Sequence, residues 1–159
     1  MPKNPYRFSP ITTKAAFEEA IAYVAEEAHA ICKQITGKRL PLHTVCIFAH
    51  YPEEEKLLRK LLATYGAADE DASHGTTTYV RPTGQVLQHE HVQLLGVRGV
   101  DPYRMHVGYA DFTVPNYQQF VETHSGTKKG WARPVPAREH LLFELWHPDY
   151  DVFAYVVNR

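Results

Sequence analysis

Cysteine is scarce in this chain, with only Cys32 and Cys46 among 159 residues. So few thiols imply no disulfide framework of the kind that staples small secreted domains. Cys32 falls on a helical pattern and Cys46 inside an apolar strand pattern, ordinary places for small buried thiols. An excess of either charge is lacking too: 17 Lys and Arg stand against 18 Asp and Glu, a formal net charge of −1. That balance argues against a nucleic-acid partner, since phosphate-backbone binders carry a basic surplus gathered on one face. The densest basic run, Lys128, Lys129, Arg133 and Arg138, is broken by Pro134 and Pro136 and reads as a solvated loop. No segment approaches the ~20 consecutive apolar residues of a membrane span. The opening stretch, MPKNPYRFSPITTK, has no apolar secretory core, so a cytoplasmic location without a membrane partner is expected. A Gly-rich phosphate loop, a Rossmann fingerprint, a nucleophile elbow and a Cys–His zinc cluster are all missing.

What is present fits one domain spanning residues 1–159. Hydrophobic content of 44% and charged content of 22% are ordinary globular values. At this length about 70% of the unfolded chain's surface can be buried, so the core needs no staple. Residues 1–37 form an N-terminal arm and helix. Thr12 or Thr13 caps this helix, which runs to about Ile35 with Gly37 just beyond. Phe17, Ile21, Val24, Ala28, Ile31 and Ile35 recur at helical spacing, an apolar stripe suited to covering a sheet.

Residues 43–100 then read as strand, helix, strand, strand. Thr44–Ala49 is an apolar strand. Pro52 opens a helix whose first turn holds Glu53, Glu54 and Glu55, matching the positive end of its dipole. Gly66 stops that helix. Thr76–Arg81 and His91–Val97 are β-rich runs separated by a Pro82-Thr83-Gly84 turn. Residues 105–158 repeat the order: a strand at His106–Val114, a helix after Pro115-Asn116, a Lys- and Pro-rich loop, then strands at Leu141–Trp146 and Val152–Val157. Superposing His43 on His106 lays Pro52 on Pro115, Leu57 on Phe120, Leu58 on Val121, Tyr79 on Leu142 and Val92 on Tyr155. Agreement in element order carries the case for duplication more than the matched letters do. The expected fold is α+β, two βαββ(β) modules forming a cupped mixed sheet behind an N-terminal helix.

Three stretches carry a family resemblance. His43-Thr-Val-Cys-Ile-Phe-Ala, His106-Val-Gly-Tyr-Ala-Asp-Phe-Thr-Val-Pro-Asn and Phe143-Glu-Leu-Trp-His-Pro-Asp-Tyr-Asp resemble strands of the vicinal oxygen chelate superfamily, the glyoxalase and bleomycin-resistance type. The added helix is similar to the YecM-like branch. The resemblance covers residues 43–158. It implies two βαβββ modules cupped around a cavity that often holds a divalent metal, with ligands from the first and fourth strands of each module. Carried onto this chain, the first-strand positions are His43 and His106. The late position of the second module falls at about Ala154, which cannot coordinate, and His91 is its counterpart in the first. The resemblance thus implies that His43, His91 and His106 converge on an open-sided site for Zn, Fe, Mn or Ni.

Ten histidines are an unusual number for the length, and they are dispersed. His89-Glu90-His91 would set two imidazoles on one side of a strand, because side chains alternate with period two; a solvent-facing pair is the plainer reading. His74-Gly75-Thr76 matches half of a two-histidine phosphoesterase motif, but no second copy exists, which favours a polar turn. Arg98 and Arg104 flank Asp101-Pro102 and can grip a substrate carboxylate through their planar forks, or else sit on the surface beside a turn. Glu144 alternates with Phe143 and Leu145, and serves as a catalytic acid or base only if its face lines the cavity. Three functions follow: a small-molecule binding protein; a metal-dependent lyase, isomerase or oxygenase; and a protein-interaction module that forms a homodimer through the first helix or a sheet edge.

Overall fold

A computed structural model describes residues 6–101, 103–126, 131–136 and 141–158. It shows a mixed α+β fold: three helices and one eight-stranded mixed sheet among the described residues, with a long helix at the N-terminal end. Helix α1 spans Lys14–Thr36. The Thr13 side chain accepts the Ala16 N–H at 3.1 Å, and Gly37 closes the helix at φ 76°, its N–H donated to the Lys33 carbonyl. Strand β1 (Leu42–Phe48) leads to helix α2 (Pro52–Ala63), then β2 (Gly66–Ala68), β3 (Thr77–Pro82) and β4 (Leu94–Arg98). Strand β5 (Gly108–Thr113), helix α3 (Tyr117–His124), β6 (Ala132–Pro136), β7 (Leu141–Leu145) and β8 (Val152–Val157) complete the chain.

The strand order is β2-β3-β4-β1-β5-β8-β7-β6. Strands β1 and β5 lie antiparallel at the centre, with Val45 opposite Ala110. Each is flanked by a parallel strand, β4 beside β1 and β8 beside β5. Antiparallel pairs then run outward to both edges. The edges are poor templates for further pairing, because β2 has three residues and β6 carries Pro134, which has no N–H to donate.

Two expectations are corrected here. Strands β2 and β6 were not foreseen: Gly-Ala-Ala has little strand propensity, and β6 hides in the Lys- and Pro-rich loop. Pairing with β3 and β7 supplies what local sequence does not. Strand β4 begins at Leu94 rather than His91, and β5 at Gly108 rather than His106.

Alternation divides the strands between two faces. On one, Val45, Ile47, Leu95, Val97, Ala110, Phe112, Phe143, Leu145, Ala154 and Val156 are buried in the main core. That core also receives Phe17, Ile21, Val24 and Ile31 of α1, Leu58 and Leu62 of α2, and Phe120 of α3, so it is the helix face. The opposite face holds a separate cluster: Cys46, Phe48, Tyr79, Leu94 and Phe153, with Ala72, Tyr109 and Tyr155 packed against it. No helix among the described residues joins that cluster, and we call it the open face.

Candidate functional site

The register lays side chains of the open face in rows across the sheet. One row runs Leu94, Thr44, Asp111, Tyr155, Glu144, Arg133 through β4, β1, β5, β8, β7 and β6. The next runs Tyr79, Gly96, Cys46, Tyr109, Phe153. Gly96 is what lets Tyr79 lie across the floor, since a Cβ there would stand 2.6 Å from the Tyr79 ring and 3.3 Å from Cys46 Sγ. The rings interlock: Tyr109 meets Tyr155 edge-on at 5.7 Å, Phe48 lies 5.8 Å from Tyr109, and Phe153 lies 6.1 Å from Tyr155.

Cationic groups gather over one end of this floor. The Arg98 guanidinium carbon sits 3.6 Å above the Phe48 ring, and that of Arg104 5.6 Å from Phe153. The His106 ring stacks on Phe153 at 3.9 Å. Both arginines approach one carboxylate, Asp101, at 3.8 Å and 3.3 Å. The Arg98 Nη2 is buried with no hydrogen-bond partner. Burial, followed by repulsion from Arg104, lowers the Arg98 pKa. His106 is lowered by the same two influences in the same order, against the pull of Asp151 and Glu144.

The other end is anionic. Asp111 and Glu144 are both buried and both stand beside Tyr155 in the register. Glu144 accepts a 3.0 Å bond from Arg133 Nε. The Tyr155 phenol is pushed up to about 12, by burial first and then by Glu144 and Asp111, while Arg104 and Arg98 pull it down. At neutral pH it keeps its proton and can donate. Below the floor, burial pushes the Cys46 thiol well above its ordinary range, leaving a packing group rather than a nucleophile.

Four residues singled out from sequence therefore lie on this face, Arg98, Arg104 and His106 at its cationic end and Glu144 at its anionic end. The other two do not. His106 lies beyond Phe48 in the β1–β5 register, because the Phe48 N–H bonds the Val107 carbonyl, whereas His43 lies at the opposite end of β1. At least five residues of strand separate their levels, roughly 16 Å. His91 is exposed, two residues from Gln93, whose N–H bonds the His43 carbonyl. Among the described residues no three His, Cys, Asp or Glu side chains are grouped to hold a metal. Antiparallel pairing of β1 with β5 is the physical reason, since it sends the starts of the two strands to opposite ends. Ala154 belongs to the helix face; its neighbours Phe153 and Tyr155 carry the open one.

The remaining histidine motifs are structural. Residues 83–91 form bends, not a strand, and Glu90 accepts from buried His29 at 2.9 Å and from Arg39 at 3.3 Å. His74 pairs with Thr77 in a turn. Ser9 Oγ lies 2.7 Å from His50 Nδ1, with Glu54 Oε1 4.0 Å from the same nitrogen. This is no nucleophile relay, because the hydroxyl and the carboxylate approach one nitrogen and all three residues are buried. Glu54 instead accepts the backbone N–H groups of His50 and Ile11, fixing the start of α2 and the N-terminal arm. Pro102 of the Asp101-Pro102 pair, Lys128, Lys129 and Arg138 lie outside the described residues.

Sequence reasoning missed Asp111, Tyr155, Tyr109, Phe48 and Phe153. Their signal was the period-two alternation in Tyr109-Ala-Asp-Phe and Phe153-Ala-Tyr-Val, where polar or aromatic residues alternate with aliphatic ones or buried Phe112. Two shallow depressions lie elsewhere: about 460 Å³ against residues 83–91, and about 280 Å³ between Leu40, Val114 and Phe120. Neither is lined by the charged and aromatic set of the open face.

No helix of the described chain is long and apolar enough to cross a membrane. No family model matches the sequence, and no curated protein shows significant similarity to it. Among solved structures it resembles one described as "Structural Genomics, Protein EC4020", with a TM-score of 0.64 and 9% identity over 89% of this chain and 85% of that one. Identity that low shows a shared fold and nothing of function.

Proposed function

We propose that this chain is a small-molecule binding protein of vicinal-oxygen-chelate-like architecture: two consecutive βαβββ modules whose strands cup a ligand on the open face. The mirrored strand order either side of β1 and β5 supports the modular part of the reading. One observation carries the binding part: Arg98, Arg104 and His106 are held over Phe48 and Phe153, beside Asp111, Glu144 and Tyr155, on the sheet face opposite the helices. Burying charge is costly unless it is paired or used, and here charged groups stand beside aromatic rings on one face. An aromatic floor binds flat apolar bodies, and a few placed polar groups fix their orientation. Affinity on this reading comes from ring contact and guanidinium grip rather than from a metal held by His43, His91 and His106.

Trp146 supplies a reporter. It follows Glu144 by two residues, its N–H bonds the Trp131 carbonyl, and it is 39% exposed; period-two alternation from Glu144 is the ground for expecting it on the open-face side. The chain has two tryptophans. Titration with naphthoate should quench fluorescence saturably, the signal surviving Trp131→Phe and vanishing in Trp146→Phe. Phe153→Ala should weaken binding about tenfold, the order expected of losing a buried ring contact. Absence of saturable quenching, or quenching indifferent to Phe153→Ala, would sink the proposal.

A further inference from the structure

Resting on the open face as the binding surface, we infer that its ligand is an aromatic carboxylate, and that Asp101 holds the place of that carboxylate at Arg98 and Arg104 until the ligand arrives. Asp101 stands between two guanidiniums and satisfies neither. Its Oδ2 lies 3.8 Å from Arg98 Nη2 and 3.3 Å from Arg104 Nε, beyond the about 2.7–3.2 Å of an ordinary N–H···O bond. Elsewhere in the molecule Arg7, Arg81 and Arg133 meet their carboxylates at 2.8, 2.7 and 3.0 Å. Arg98 Nη2 is buried and has no hydrogen bond. A buried donor without an acceptor bears a desolvation cost that a bond normally offsets, and the cost is larger for a charged group.

The neighbouring carboxylates are committed elsewhere. Glu55 accepts from Arg59 and from the Val100 N–H, Asp151 from Arg7 and Tyr23, and Glu144 from Arg133. Burial first, and then Arg104, lowers the basicity of Arg98, against Cys46, Asp101 and Tyr155. Cys46 and Tyr155 keep their protons at neutral pH, so of these three Asp101 alone offers a negative charge. His106, held below the ordinary imidazole value, adds no third positive charge there. Two cations thus face one loosely seated anion. A planar carboxylate matches the guanidinium fork, and one of its oxygens would give Nη2 its acceptor. Asp101 can yield to it, because its side chain is 35% exposed and its other oxygen, Oδ1, accepts the Tyr103 N–H at 3.1 Å in a surface turn. The adjoining surface sets the rest of the ligand. Phe48 lies under Arg98 and Phe153 near Arg104, and the half-buried rings of Tyr109 and Tyr155 continue along the strands. A flat ring bearing the carboxylate meets both demands.

The test is calorimetric titration of the full chain with naphthoate and its neutral isostere naphthamide. The carboxylate should bind about tenfold more tightly, the order of one charge-assisted hydrogen bond to a buried donor. Arg104→Gln should shrink that preference. Asp101→Asn should widen it about fivefold by tightening naphthoate alone, because Asn keeps the Oδ1 acceptor for Tyr103 and loses the competing charge. In unaltered protein the Tyr103 amide resonance should shift with naphthoate and stay in place with naphthamide. Equal affinity for the two ligands overturns the inference, and so does a preference that Asp101→Asn leaves alone or narrows. A Tyr103 amide indifferent to naphthoate overturns it even where Asp101→Asn fails to fold. Naphthamide that binds as tightly as naphthoate, and weakens in Phe153→Ala, leaves the binding face standing while this charge selectivity falls. Saturable binding of neither ligand removes the face itself, and the inference with it.

Discussion

The two faces of the sheet are drawn from the same strands and differ in nearly every physical respect. Toward the helices, β1 sends Val45 and Ile47, β5 sends Ala110 and Phe112, and β8 sends Ala154 and Val156, all buried. Away from them the same strands send Cys46 and Phe48, Tyr109 and Asp111, Phe153 and Tyr155. The first set is aliphatic apart from Phe112 and sealed by three helices; the second is aromatic and charged. A period-two backbone lets one strand serve both demands, so packing on the helix face tolerates polar chemistry one residue away.

The sharpest break of this contrast is Phe112→Ala. Truncating a fully buried ring on the helix face should cost about 3–5 kcal/mol in denaturant unfolding. Tyr155→Phe, one strand over on the open face, should cost less than about 1 kcal/mol while weakening ligand binding. Equal losses would show that the faces are energetically alike. Gly96→Ala comes next: its Cβ would press on Tyr79 and Cys46, and about 1–3 kcal/mol of destabilisation is expected. Arg98→Ala should reverse the usual ranking, with naphthoate affinity falling about tenfold and stability by no more than about 1–2 kcal/mol, the worth of one cation–π contact.

The smallest effect is with pH. Burial, the leading influence, holds both His50 and His106 below the ordinary imidazole value; Glu54 opposes it at His50, and Arg104 adds to it at His106. The unfolded chain therefore takes up protons before the folded one. Stability from these two groups is complete above about pH 6.5 and is lost as pH falls below that value. Melting temperature should decline on acidification, and His50→Gln or His106→Gln should flatten that decline. An unchanged profile in both variants would remove these imidazoles from the account.

Legibility in the sequence followed locality. Helix α1 was readable to within a residue because its cap at Thr13, its apolar stripe and Gly37 are local signals. Strand β8 was readable from its bounds at Val152 and Val157. Strands β2 and β6 were not, since hairpin pairing, not composition, makes them strands. Arg98, Arg104, His106 and Glu144 were found as single residues whose convergence depends on register. His43 and His91 failed for the same reason in reverse, because the antiparallel centre sets His43 at the opposite end of β1 from His106. Asp111 and Tyr155 sat in plain alternation, but naming the open face requires knowing where the helices pack.

The most direct test of the ligand surface is an amide chemical-shift map of the protein titrated with naphthoate. Perturbations should centre on Tyr79, Gly96, Arg98, Tyr109, Phe153 and Tyr155, leaving Val45, Leu95 and Val156 less affected. Shifts confined to residues 83–91, or to the hollow beside Phe120, would contradict the account.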